Sequence, residues 1–117
     1  MLKEKFNMAI DNNSVIDFIG TIEEDNEVIL TISDHLDWNL KTDHLLKLQS
    51  KINRYLDFVD SGEIYEEYSN SLGRNIVIEV VGKYDLPNDN DVNVFCDMVS
   101  QFLKWLNISL RFKKLEV

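Results

Sequence analysis

Polar and apolar residues alternate in two stretches near the start of the chain. Over residues 15–22, Ile16, Phe18 and Ile22 share a face, and over residues 27–33 Val28, Leu30 and Ile32 do, with Thr21, Thr31 and Ile29 on the other sides. That two-residue period predicts two strands, and the polar turn Glu23-Glu24-Asp25-Asn26 between them predicts an antiparallel hairpin. The period then lengthens. Leu45, Leu48, Ile52, Tyr55, Leu56 and Val59 recur at helical spacing and predict a helix over 40–60, with Thr42 or Asp37 as its N-cap, Gly62 just past its end, and Lys47, Lys51 and Arg54 facing outward.

Residues 63–68 and 74–84, joined by Ser69-Asn70-Ser71-Leu72-Gly73, read as a second hairpin. The longer of these strands is apolar on both sides, with Ile76, Ile78 and Val80 on one and Val77 and Val81 on the other. This suits a central strand or one covered by a partner. Pro87 and Asn88-Asp89-Asn90-Asp91 break the sheet and open a second helix over 92–107, whose expected core face is Phe95, Val99, Phe102, Leu103 and Leu106. Val94, Met98 and Trp105 form an additional apolar stripe on that helix, resting on the domain's own loops or serving as a contact for a second subunit or partner. A last strand spans 108–115. The expected fold is α+β, a single domain in the order ββαββαβ, with a mostly antiparallel sheet and two helices on one face. Residues 1–14 are expected to be a loosely held N-terminal extension and 15–117 the domain.

Charge separates the ends of the chain. The formal net charge is −9, and no lysine or arginine occurs between Phe6 and Leu40, whereas Asp11, Asp17, Glu23, Glu24, Asp25, Glu27, Asp34 and Asp37 all do. A phosphate-binding surface needs clustered positive charge, and only Arg111, Lys113 and Lys114 near the C-terminus offer it, so no nucleic-acid partner is expected. A basic protein partner fits the acidic field better. No apolar run is long enough to span a membrane, and the asparagines and aspartate that follow Lys3 and Lys5 break the pattern of a signal peptide. No membrane partner and a cytoplasmic location are therefore expected. The single cysteine, Cys96, admits neither an internal disulfide nor a thiolate cluster.

Chemistry concentrates where the second strand gives way to the first helix. Asp34, His35, Asp37, Trp38 and His44 are the candidate binding residues. Asp34, His35, Asp37 and His44, with Asp43, are ligand types for zinc, yet no H-x-x-x-H or C-x-x-C spacing places two of them on one element. The first four could also support a small metal-dependent or carboxylate-based hydrolase. Capping explains Asp37 without a substrate. Gly20, Gly62, Gly73 and Gly82 are too scattered for a phosphate loop, so neither metal nor cofactor is expected. Two tyrosines and three acids in Glu63-Ile64-Tyr65-Glu66-Glu67-Tyr68 suit a solubilised edge strand.

Val15-Ile16-Asp17-Phe18-Ile19, the run Ile32-Ser33-Asp34-His35-Leu36-Asp37-Trp38, the helical stretch from His44 to Asn53, and Ser61-Gly62-Glu63-Ile64-Tyr65 together resemble a family of small bacterial proteins classed as a domain of unknown function. The resemblance runs from Val15 onward and implies a bacterial origin and one domain, with no activity to carry over.

The sequence therefore points to binding rather than catalysis, with another protein as partner. Immunity proteins that cap basic toxins share this size and charge. A self-associating subunit, with Val77, Val81, Val94, Met98 and Trp105 at a homodimer interface, is the further alternative.

Overall fold

The first two alternating stretches pair as expected. Strands β1 (Phe18–Ile22) and β2 (Glu27–Asp34) are antiparallel, in register from Phe18 opposite Thr31 to Ile22 opposite Glu27. Asn26 closes the turn in the left-handed region, at φ 53°, a conformation asparagine tolerates better than most residues. The structure, a computed structural model, describes residues 9–12 and 15–116.

Helix α1 (Lys41–Asp60) follows and stops at Gly62, whose φ of +83° suits glycine at a helix end and whose N–H returns to the Val59 carbonyl at 3.1 Å. The expected second hairpin is absent. Residues 63–68 instead form a short helix, α2 (Glu63–Glu67), followed by a 3₁₀ turn at Ser69–Ser71. Ile64 and Tyr68 satisfy both a two-residue and a four-residue repeat, so periodicity alone could not decide between strand and helix. Burial of Ile64 in the core and a 2.6 Å hydrogen bond between the Tyr68 and Thr21 hydroxyls favour the helical answer.

Strand β3 (Asn75–Gly82), helix α3 (Asn90–Trp105) and strand β4 (Ile108–Lys114) complete the chain. The sheet runs β1-β2-β3-β4, with β2, β3 and β4 parallel. The expectation of a ββαββαβ order and a mostly antiparallel sheet is thus corrected to a mixed sheet. A strand that returns to its neighbour through a helix must enter from the same end, so each helical crossover enforces a parallel pair. The class is α+β in one domain. Among the described residues no helix is long and apolar enough to cross a membrane.

Both long helices cover one sheet face. Val28, Leu30 and Ile32, Ile76, Ile78 and Val80, and Ile108 pack against Leu48, Ile52, Tyr55 and Phe58 of α1 and Leu103 of α3. Within β1 the sides are the reverse of the expectation. Ile19 packs on the core, whereas Phe18 and Ile22 are exposed. On the sheet's other face Val77 is buried at the centre, between Ile29 and Ser109, and Val81 is half-buried. Central placement of β3 accounts for its two apolar sides and leaves Val77 unavailable as an exposed contact.

Lys51 requires a larger correction. Expected to face outward, it is fully buried in the stripe His44, Leu48, Lys51, Tyr55, Phe58. Its Nζ forms an ion pair with Asp17 Oδ1 at 2.7 Å and donates to the Asn12 and Val15 carbonyls at 2.5 and 2.8 Å. Asp17 Oδ2 accepts the Ser33 N–H at 2.9 Å. Tyr55 Oη accepts the Asp17 N–H at 2.9 Å and donates to the Thr31 carbonyl. Burial pushes the Asp17 carboxyl above its ordinary range, opposed by Lys51 and the Ser33 N–H. Upstream, Ala9 and Ile10 are buried, and Ile10 N–H bonds the Ser33 carbonyl at 2.9 Å. Residues 1–8, 13 and 14 of the expected extension lie outside the described residues.

Candidate functional site

Ligands of open sheets with parallel strands bind in the crevice beyond the strands' carboxyl ends. Here Asp34, Gly82 and Lys114 end β2, β3 and β4 side by side. A cleft of about 170 Å³ opens at this edge, lined by Asp34 and Trp38 with Tyr84, Leu86, Phe112 and Lys113 among its walls. A Cβ at Gly82 would stand 3.1 Å from the Tyr84 carbonyl, so glycine lets the following segment fold back over the strand end.

Alternation along β2 puts Asp34 on the same face as Val28, Leu30 and Ile32, and its carboxylate turns under the helices. Oδ1 accepts the Leu36 N–H at 3.1 Å, and Oδ2 lies 2.6 Å from His44 Nε2. His44 occupies the first turn of α1, with Nδ1 2.9 Å from the Asp37 carbonyl. The Trp38 ring stacks on the imidazole, with centroids 3.7 Å apart and planes 18° from parallel. A carbonyl only accepts, so Nδ1 donates to Asp37, and Nε2 is the nitrogen turned to the Asp34 carboxyl.

This bonding limits the chemistry. A general base needs a free lone pair within reach of substrate, and both His44 nitrogens are engaged in a side chain only 2% exposed. Trp38 closes the ring's face. The arrangement ties the end of β2 to the start of α1 and shapes the floor of the cleft.

Of the five residues singled out from sequence, Asp34, Trp38 and His44 come together, and Asp37 contributes its backbone. The Asp37 side chain accepts the Asn39 N–H at 3.0 Å in a turn ahead of the helix, and the expectation that Asp37 or Thr42 caps α1 is corrected: the N-cap position is Leu40, with no side-chain cap, and Thr42 lies inside the helix. His35 is half-exposed, 3.8 Å from Asp11, and Asp43 pairs with Lys47 at 3.0 Å on the helix surface. Successive residues of an extended segment face opposite ways, which separates His35 from Asp34. Among the described residues no group of three or more His, Cys, Asp or Glu side chains is placed to hold a metal ion.

A second surface lies on the helices. The core line of α3 is Val92, Phe95, Val99 and Leu103; Phe102 and Leu106, expected in the core, are exposed. Helix α3 packs mainly against β4 and touches α1 only lightly. Trp105 is 87% exposed, Met98 67% and Phe102 57%, with Val94 and Leu106 beside them. Two adjoining hollows of about 360 and 370 Å³ run between α1 and α3, sharing Leu56 and Phe102. Val59, Leu106 and Ile108 extend the floor of the first, whose rim carries Asp57 and Asp60. Sequence reasoning found Val94, Met98 and Trp105 but missed the groove, because a helix with apolar residues over most of its circumference does not reveal which arc meets the sheet.

No curated protein and no solved structure matches the chain. A model of a family of unknown function, DUF6572, matches residues 8–116. The match spans both the cleft and the groove, and the chain belongs to that family.

Proposed function

We propose that the protein is a non-catalytic binding module that seats a basic protein partner in the groove between α1 and α3. The observation that carries this reading is the clustering of Phe102, Leu106, Leu56 and Val59 around one apolar hollow with Asp57 and Asp60 on its rim. Each large apolar side chain removed from water there contributes about 1.5–3 kcal/mol, and an acidic rim selects a partner of opposite sign. The net charge of −9 extends that selection to long range. Immunity proteins that cap basic toxins are the nearest analogy in size and charge. The dyad argues for the same division of labour, since Asp34 and His44 spend their polar atoms on each other and on the backbone.

Co-purification from a native host tests the proposal. Wild-type chain should recover a basic protein at one-to-one stoichiometry, and Phe102→Ser and the pair Asp57→Lys, Asp60→Lys should lose it while remaining folded. Recovery of the same partner by all three would overturn the groove as the binding surface.

A further inference from the structure

We infer that the crest of α3 is a self-complementary surface and that a second copy of this chain docks there, with the two α3 helices antiparallel about a two-fold axis near Ser100. This contact shares Met98 with the groove's second hollow but none of the residues of the hollow that carries Asp57 and Asp60, which lies on the side of α3 that faces α1.

Met98 and Trp105 are seven residues apart, as are Val94 and Gln101, so the four form a seam along the outer surface of the helix. All four are exposed. Asp97 and Lys104, also seven apart, share one flank of that seam, and both are exposed. At about 1.5 Å rise per residue they stand about 10 Å from each other along one helix, too far to pair within it. Among the described residues neither makes an ion pair with another element.

Charge then fixes the orientation. In a parallel pair the flank carrying Asp97 and Lys104 would face the opposite flank of the second helix, where Phe95 and Phe102 stand, and both charges would go unmatched. In an antiparallel pair like flanks meet. Asp97 of each copy reaches Lys104 of the other, giving two opposite-charge contacts from one pair of residues. The same centre sets Trp105 over Val94 of the second copy and Met98 beside Gln101. Charge and apolar seam thus agree on one axis, which is what an isologous interface requires.

The area is sufficient for a weak, specific dimer. A tryptophan buries about 150–250 Å² when enclosed, and two of them with the Met98, Val94 and Gln101 pairs approach about 1,000 Å² in total, the lower bound for a biological interface. One neutral polar residue in the seam favours a single register over affinity.

Sedimentation velocity on the full chain is the test, run from about 1 to 200 μM to bracket the micromolar affinity of an interface this small. The mass should rise from 13.7 kDa toward twice that value as concentration increases. Asp97→Lys alone and Lys104→Asp alone should each weaken the dimer at least about tenfold, because each places like charges opposite one another, and the double exchange should restore it. Trp105→Ser should leave a monomer. A monomer at every concentration, or a dimer indifferent to both single exchanges, overturns the inference. Neither result touches the groove, since the Asp57→Lys, Asp60→Lys variant should dimerise like wild type and lose only the heterologous partner.

Discussion

Lys51 Nζ lies 2.7 Å from Asp17 Oδ1, and neither side chain reaches solvent. The pair joins the middle of α1 to the segment entering β1, and two backbone carbonyls complete the ammonium's bonding. Breaking a buried pair from one side strands the other charge and costs about 3–5 kcal/mol. Lys51→Met should therefore lower unfolding free energy by about that amount at neutral pH, read by urea denaturation. The loss should depend on pH. Asp17 already has its folded pKa raised by burial, and without Lys51 nothing but the Ser33 N–H opposes that shift. A carboxyl raised on folding contributes stability below its unfolded value near 3.8 and loses that contribution as pH rises through its folded value. The deficit of Lys51→Met should be smallest near pH 4 and widen toward neutrality; a deficit independent of pH would contradict a charged Asp17 in the variant.

Tyr55 Oη bridges the Asp17 N–H and the Thr31 carbonyl. Tyr55→Phe leaves both buried backbone groups without that partner at nearly unchanged volume. The expected cost is about 1–3 kcal/mol in thermal or urea unfolding. Hydrogen exchange at Asp17 should accelerate more than exchange elsewhere in the chain.

Asp34 and His44 allow two substitutions to be set against each other. His44→Leu leaves a buried carboxylate with only the Leu36 N–H and should cost about 3–5 kcal/mol. Asp34→Asn can still accept from Leu36 and donate to a neutral His44 Nε2, so it should cost about 1 kcal/mol. Equal losses in urea unfolding would show that volume rather than the hydrogen bond between the two side chains holds the junction.

Asp89 caps α3, accepting from the Asp91 and Val92 N–H groups at 3.0 and 3.2 Å, and Lys41 meets its carboxylate at 3.2 Å. The Val92 N–H, with help from Lys41, holds the Asp89 carboxyl below its ordinary value. The sign is opposite to that of Asp17. The contribution is present above the unfolded value of 3.8 and is lost as pH falls through the folded one. Asp89→Ala should speed amide exchange at Asp91 and Val92 at neutral pH, and acidification should bring wild type toward the variant.

Much of this fold was legible because long periodic segments report their own geometry. The β1–β2 hairpin, α1, α3, β3 and β4 follow from alternation or helical spacing, with ends displaced by a few residues. Topology failed on one ambiguous segment. Reading residues 63–68 as a strand inserted a hairpin, and removing it made β2 and β3 parallel neighbours. Lys51 carried an unused signal, since it stands three residues after Leu48 and four before Tyr55, in the middle of the buried stripe. His44, four before Leu48, is on the same line. The junction residues were recognised as a group, but their closure on one another needed coordinates, because hydrogen-bond partners do not follow from spacing. Openness between α1 and α3 depends on how two helices lean across a sheet, which neither helix's pattern encodes.

Under the proposed function, binding falls on the helical face and the Asp34–His44 junction is structural. The most direct measurement is the affinity of the co-purified partner for Phe102→Ser and for Asp34→Asn, titrated side by side with wild type. Truncating an interface hot spot costs at least about 2 kcal/mol, so Phe102→Ser should weaken binding by about 30-fold or more while Asp34→Asn stays within about threefold. A partner that Phe102→Ser binds normally and Asp34→Asn no longer binds would contradict the account and return function to the cleft.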